Sequence, residues 1–248
     1  MTETLSRRDR VRAETSAEIK QAARRILIEH GPEAVTLRAI AREIGMTAPA
    51  LYRYFGSHED LLRHVVGDIF TELGADIARA IDEAAGDGMT GKMVAACREF
   101  RRWALGHQAE FGLLFGTPLP TLEATHDDAV TECAARFSGV FFSLFYELWH
   151  KRPFPVPADD EIDPVLRDQL ARYRDALGVD LPLGAGLTFL RCWVRLYGTV
   201  TLEVFGHLHF ALDDPAPMFE ITLRELAGMV GLQYPPPRGA RPGGPDAP

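Results

Sequence analysis

The sequence predicts an all-α protein. It has a short N-terminal unit of three helices built round a helix-turn-helix, and a larger C-terminal helical unit. Three observations lead there. Apolar residues recur at i, i+3, i+4 and i+7 in almost every periodic segment, with no persuasive strand-like alternation. Residues 37–54, LRAIAREIGMTAPALYRY, place two short apolar-faced helices either side of Gly45. Charge is uneven: against a total of −8, residues 1–56 carry +3 and the remainder −11.

Taken in order, the first helix spans Ala13 to His30, with Ile19, Ala22, Ala23, Ile26 and Leu27 on one face, and Gly31-Pro32 stops it. A second begins behind Thr36 as N-cap and ends near Gly45; a third starts behind Thr47 and ends at Gly56. Ser57, with Asp60 three residues on, opens a fourth whose broad apolar face runs from Leu61 to Ile77. Gly86-Asp87-Gly88 breaks the chain before a helix over 90–105 and a short one over 108–115. Thr117-Pro118 and Pro120 are a stop, followed by a long aromatic helix over 122–149 and a Pro-rich loop over 151–164. Three more helices follow, over 164–177, 183–210 and 215–230. Gly184, Gly186, Gly198 and Gly206 punctuate the second of these, which suggests close helix–helix approach. The domain boundaries expected are a flexible basic arm (1–12), the helix-turn-helix domain (13–56), a helical domain (57–232, with 57–85 a connecting helix) and a disordered Pro/Gly-rich tail (233–248).

Composition narrows the function classes. A chain of 248 residues, 46% hydrophobic and 25% charged, can bury a core without disulfides. Three cysteines with no CxxC pair argue against a disulfide framework and a zinc ribbon, and suit a reducing cytoplasm. The charged N-terminus has no apolar segment of a signal peptide. The most apolar stretch, 181–212, carries Arg191, Arg195, Glu203, His207 and His209, so it reads as a buried helix and not a membrane span. The basic head on an acidic body is the footprint of a protein that offers one end to a polyanion.

The helix-turn-helix has its own physical demands. Ala41 supplies the small residue where two helices cross, Gly45 the tight turn, and Ile40, Ile44, Met46, Leu51 and Tyr54 the facing apolar groups. Pro49 falls in the first turn of the third helix, where its missing N–H costs nothing. An ordinary αα-hairpin is the competing account.

The run from Ile19 to Leu62 resembles the DNA-binding domain of tetracycline-repressor (TetR) family regulators, on Ala22-Ala23, Gly31, Thr36, Ile40-Ala41, Gly45, Leu51-Tyr52, Phe55, Ser57 and Leu61-Leu62. The resemblance implies a homeodomain-like domain whose third helix enters the major groove. Thr47, Ala48 and Pro49 would then stand where base edges are met, and Tyr52 where a phosphate is gripped. Thr36 would cap the second helix over the DNA backbone. Arg38 and Arg53 either read guanine or hold phosphate. His58 stands where the family usually has a lysine, so its phosphate contact is weaker.

Residues 98–120 and 193–207 are similar to the effector domain of a TetR subgroup named for Trp, His and Gly. Trp193 and Gly198 match, while Tyr197 stands at the histidine position. The resemblance implies a ligand-binding and dimerisation domain, with a homodimer through the last two long helices. Trp103, Phe111, Phe141, Phe145, Trp193 and Tyr197 are the candidate lining of an effector cavity, plain core being the alternative for each. Arg195, Thr199 and Glu203 share one helix face and belong either to the pocket or to the interface. His207 and His209, two apart on a helix, point different ways, so no metal site is expected.

No nucleophile elbow, phosphate loop, dinucleotide fingerprint or HExxH occurs, so neither an enzyme nor a cofactor is expected. The expectation is a cytoplasmic, ligand-responsive repressor that a largely apolar small molecule releases from an inverted-repeat operator in double-stranded DNA. The alternative is a helical small-molecule-binding or assembly protein that keeps the helix-turn-helix only as structure.

Overall fold

The computed structural model describes residues 6–116 and 129–234, and every regular element among them is helical. The first helix, α1 (Arg7–His30), begins six residues before the expected Ala13. Ser6 is the reason: its Oγ accepts from the Asp9 N–H at 3.2 Å and donates to the Asp9 carboxylate at 2.6 Å. The basic segment expected as a flexible arm is therefore helix from Arg7 onward. Hydrophobic periodicity carries no signal for a polar cap.

Ile19, Ala22, Ala23, Ile26 and Leu27 are buried on α1, as their spacing predicts. Thr36 caps α2 (Leu37–Glu43), its Oγ1 accepting from the Ala39 N–H at 3.2 Å. The chain then reverses through Gly45, at φ 68°, a conformation that a side chain would strain. The third helix, α3 (Ala48–Leu51), is shorter than expected. Past Leu51 its bonds tighten to three-residue spacing, from Arg53 N to Ala50 O and from Tyr54 N to Leu51 O.

The long α4 (His58–Glu83) opens on the predicted pair, shifted by one donor. Ser57 Oγ accepts from the Asp60 N–H, and the Asp60 carboxylate accepts from the Gly56 N–H. Next come α5 (Gly88–Gly106) and α6 (Gln108–Phe111), the latter running into a π-helical turn over Gly112–Gly116. The long aromatic helix α7 is described over Ala129–Lys151. Its expected start, the Thr117–Pro120 stop and the tail from 235 lie outside the described residues. Asp163 caps α8 (Pro164–Leu177), accepting from the Val165 and Leu166 N–H groups.

Helix α9 (Leu183–Val204) ends six residues before the expected Phe210. Its last carbonyls are closed by Phe205 N to Thr201 O and His207 N to Leu202 O, so His207 and His209 lie in the turns beyond it. The final helix is α10 (Ala216–Met229). Of the glycines expected to let helices approach, Gly206 meets the His209 ring of its own turn, 3.1 Å from a Cβ position, and Gly184 is pressed most closely. A Cβ there would stand 2.1 Å from the Pro157 carbonyl oxygen, so the contact is with the Pro-rich loop and not with a helix.

The chain divides into two compact units, one from the described residues of Met1–Ala78 and Phe100–Val140, the other from those of Arg79–Glu99 and Phe141–Pro248. The expected boundary near residue 56 follows sequence order, whereas packing recruits later segments to the head. Phe70, Phe100, Phe111, Phe115 and Phe137 form one aromatic cluster in the first unit, with ring centroids 4.9–6.2 Å apart. In the second unit α9 packs against α8 and α10. No helix among the described residues is long and apolar enough to cross a membrane.

Candidate nucleic-acid interface and effector cavity

In the first unit, α2 and α3 share a concave surface lined by Thr36, Arg38, Arg42, Met46 and Ala48. Thr36, Arg38, Thr47, Pro49, Tyr52 and Arg53 are exposed, and Ala48 and His58 half-buried. Tyr52 is 57% exposed, unusual for an aromatic side chain that folding alone would bury. Thr47 makes no cap hydrogen bond with its side chain. Arg42 was missed by sequence reasoning. It lies four residues after Arg38, hence on the same helix face, and spacing alone could have found it.

Two contacts brace this surface. Arg12 Nη2 donates to the Arg53 carbonyl at 3.2 Å and ties the start of α1 to the end of the third helix. His58 Nε2 lies 2.5 Å from the Val35 carbonyl. Behind the surface, Lys20 pairs with Asp68, and Arg24 bridges Glu72 and the buried Glu110. Burial alone would lower the Arg24 pKa. Its hydrogen bonds and the charges of Glu72 and Glu110 outweigh that and hold it above the ordinary value.

The second unit holds an apolar cavity of about 70 Å³ that opens to solvent. Four helices line it at helical spacing. Thr90, Met93, Val94 and Cys97 come from α5, Phe141 and Phe145 from α7, Phe189, Cys192, Trp193 and Leu196 from α9, and Leu223, Leu226 and Ala227 from α10. Leu232, just past the last helix, closes one side. The segment is held there by Tyr234, whose hydroxyl bonds to the Glu220 carboxylate and accepts from Arg98 Nη2. Arg98 also forks onto Glu220 at 2.8 and 3.0 Å, which raises its pKa.

Of the six residues predicted to line a cavity, Phe141, Phe145 and Trp193 meet here. Tyr197 stacks on Trp193, with centroids 6.2 Å apart, but is outside the lining. Trp103 and Phe111 are fully buried in the other unit, Trp103 stacked on His107 and Phe111 within the phenylalanine cluster. Arg195 pairs with Glu225 at 3.2 Å and Thr199 Oγ1 meets Thr222 Oγ1 at 3.4 Å, so their face is turned to α10 and not to the cavity. No cluster of three or more His, Cys, Asp or Glu suited to a metal ion occurs among the described residues.

Comparisons with known proteins agree with this arrangement. The family of bacterial regulatory proteins, tetR family, matches residues 19–65, and the tetracyclin repressor-like C-terminal domain matches residues 93–226. The HTH-type transcriptional regulator Rv1816 of Mycobacterium tuberculosis is 31% identical over 228 residues, spanning 90% of this chain and 95% of its own. The regulator Mb1846 of Mycobacterium bovis matches to the same extent. Among solved structures, a protein described as regulatory protein SCO4313 superposes with a TM-score of 0.67 at 29% identity, over 90% of this chain and 100% of that one. A Rhodococcus sp. RHA1 protein of unknown function shares the fold, with a TM-score of 0.61 at 20% identity over 88% and 94% of the two chains. The chain belongs to the tetR family of helix-turn-helix transcriptional regulators.

Proposed function

We propose that this regulator is a homodimeric repressor that holds an inverted-repeat operator until a largely apolar small molecule enters the cavity of its second unit. The observation that carries this reading is the pairing of an exposed helix-turn-helix surface with a cavity walled almost wholly by hydrocarbon and aromatic groups. On the DNA side, Thr47, Ala48 and Pro49 meet base edges, Tyr52 and Thr36 hold phosphates, and Arg38, Arg42 and Arg53 supply cations.

The outer face of α9 and α10 supports dimerisation. Val194 and Leu202 on one, Phe205 just past its end, and Met218 and Ile221 on the other, stay exposed although apolar. Gly198, between them on α9, has nothing within 4 Å of where a Cβ would stand, which leaves room for a partner helix. Two subunits would set their recognition helices about 34–36 Å apart, one turn of DNA. An effector that binds the arrangement with another spacing more tightly releases the DNA by population shift. The site of action is the cytoplasm, where the operator is.

The test is selection of genomic fragments by the purified protein at about 150 mM salt, where nonspecific binding is weak. A shared inverted repeat supports the reading, and Tyr52→Phe or Arg38→Ala then weakens binding. Absence of enrichment at that salt and at about 50 mM overturns it in favour of a helical binding protein.

A further inference from the structure

Two of the three cysteines line the cavity, and the reading above uses neither. Cys97 comes from α5 and Cys192 from α9, and neither is in a disulfide. They are the most reactive groups in a wall that is otherwise nearly all hydrocarbon and aromatic. Cys133 belongs to the other unit, near Gly67 and Thr71, and serves as an internal control.

Their electrostatics restrict what they can do. Burial first, and the presence of Cys192 second, push the Cys97 thiol up to about 12, against the lowering effect of Arg98. Burial likewise pushes Cys192 up to about 11, against the lowering effect of Arg191 and Arg195. The influence of Cys192 on Cys97 agrees with their sharing one cavity wall. At neutral pH both are protonated, and thiolate is scarce. That disfavours chemistry that starts from free thiolate, such as peroxide sensing, and it handicaps a cation that must displace two tightly held protons.

A guest that consumes two neutral thiols and leaves no net charge suits such a wall. Trivalent aryl-arsenic compounds behave this way. An arsenoxide and two thiols form two As–S bonds, the As–O bonds break, and the two thiol protons leave with the oxygen as one water. No atom changes oxidation state, and the dithioarsenite product is uncharged. Its aromatic ring has Phe141, Phe189 and Trp193 to lie against.

We infer that Cys97 and Cys192 form a dithiol site in the cavity, for thiophilic guests that bridge two sulfurs as a neutral adduct, trivalent aryl-arsenicals being the chemical class. The regulatory consequence rests on the cavity being the effector site; the dithiol itself does not.

The experiment treats the reduced full-length protein with phenylarsine oxide and reads intact mass under native conditions. The expected result is one adduct per chain, heavier by the reagent less one water. It resists a large excess of a monothiol and is removed by a small-molecule dithiol. Cys133→Ser keeps that adduct, whereas Cys97→Ser and Cys192→Ser each lose its resistance to monothiol. Cys97→Ala and Cys192→Ala, with circular dichroism as a folding check, repeat the test should a serine not be tolerated in the wall. An adduct that is absent, monothiol-labile or dependent on Cys133 overturns the site. Operator binding, read by anisotropy, separates the two readings. An adduct that leaves DNA binding intact keeps the dithiol and sinks the effector reading. Release by other apolar compounds without any resistant adduct does the reverse.

Discussion

His58 Nε2 lies 2.5 Å from the carbonyl oxygen of Val35, so the ring is bonded to protein backbone at the position where the family resemblance implies a phosphate-gripping lysine. Because a carbonyl only accepts, Nε2 carries the hydrogen. The bond pins the start of α4 to the chain just before α2. His58→Ala is expected to cost about 1 kcal/mol of stability while leaving the salt slope of DNA binding nearly unchanged. His58→Lys is expected to steepen that slope by about one unit. Binding isotherms at four salt concentrations, alongside denaturant melts, decide both. A slope that flattens in His58→Ala would show that the ring does hold phosphate.

The buried carboxylate of Glu110, 3% exposed, depends on Arg24 for its neutralisation. Arg24→Met removes the cation and leaves the buried Glu110 carboxyl without its partner. The expected loss is on the order of 3 kcal/mol. Arg24→Met combined with Glu110→Gln should recover much of it, since the cost lies in the stranded charge. Urea titrations of the single and double variants measure the difference.

Alkaline pH should destabilise the fold through the cavity. Cys97 and Cys192 rise from 9.0 to about 12 and about 11. Burial, then the hydrogen bond to Glu220, raises Tyr234 from 10.0 to about 12. Between the unfolded and folded values the folded chain binds more protons than the unfolded one, so stability is intact below pH 9 and falls as pH rises toward 12. Thermal melts from pH 7 to 11 should show the decline, and Cys97→Ala with Cys192→Ala should flatten it.

The exposed apolar face of α9 and α10 predicts the behaviour of Ile221→Arg. The variant should keep its helix content, sediment as a monomer, and lose operator affinity by about a hundredfold or more, because the second half-site is no longer tethered to the first. A dimeric Ile221→Arg protein would remove this face from the interface.

Much of the architecture was legible without coordinates. The face of α1 from Ile19 to Leu27, the Thr36 cap, the Gly45 turn and the span of α8 follow from periodicity and caps, which act over three or four residues. The helix-turn-helix itself was legible for the same reason, because it is one local unit. What failed locally was polar or competitive: the Ser6–Asp9 cap that lengthens α1, and the closure that ends α9 at Val204.

The cavity was legible only in part. Phe141, Phe145 and Trp193 lie on it while Trp103 and Phe111 do not, yet all five are buried or half-buried aromatics on helices. Spacing along one helix tells which face turns inward. It does not tell whether that face meets another side chain or a void. The sequence by itself determined a helical regulator with a basic helix-turn-helix head, since helical periodicity, caps and turn glycines are properties of neighbouring residues. Only the tertiary structure decided that His58 is bonded to Val35, that Arg24 neutralises Glu110 and that Cys97 shares a cavity with Cys192. Those relations join residues far apart in the chain, and packing, which no local pattern encodes, sets them.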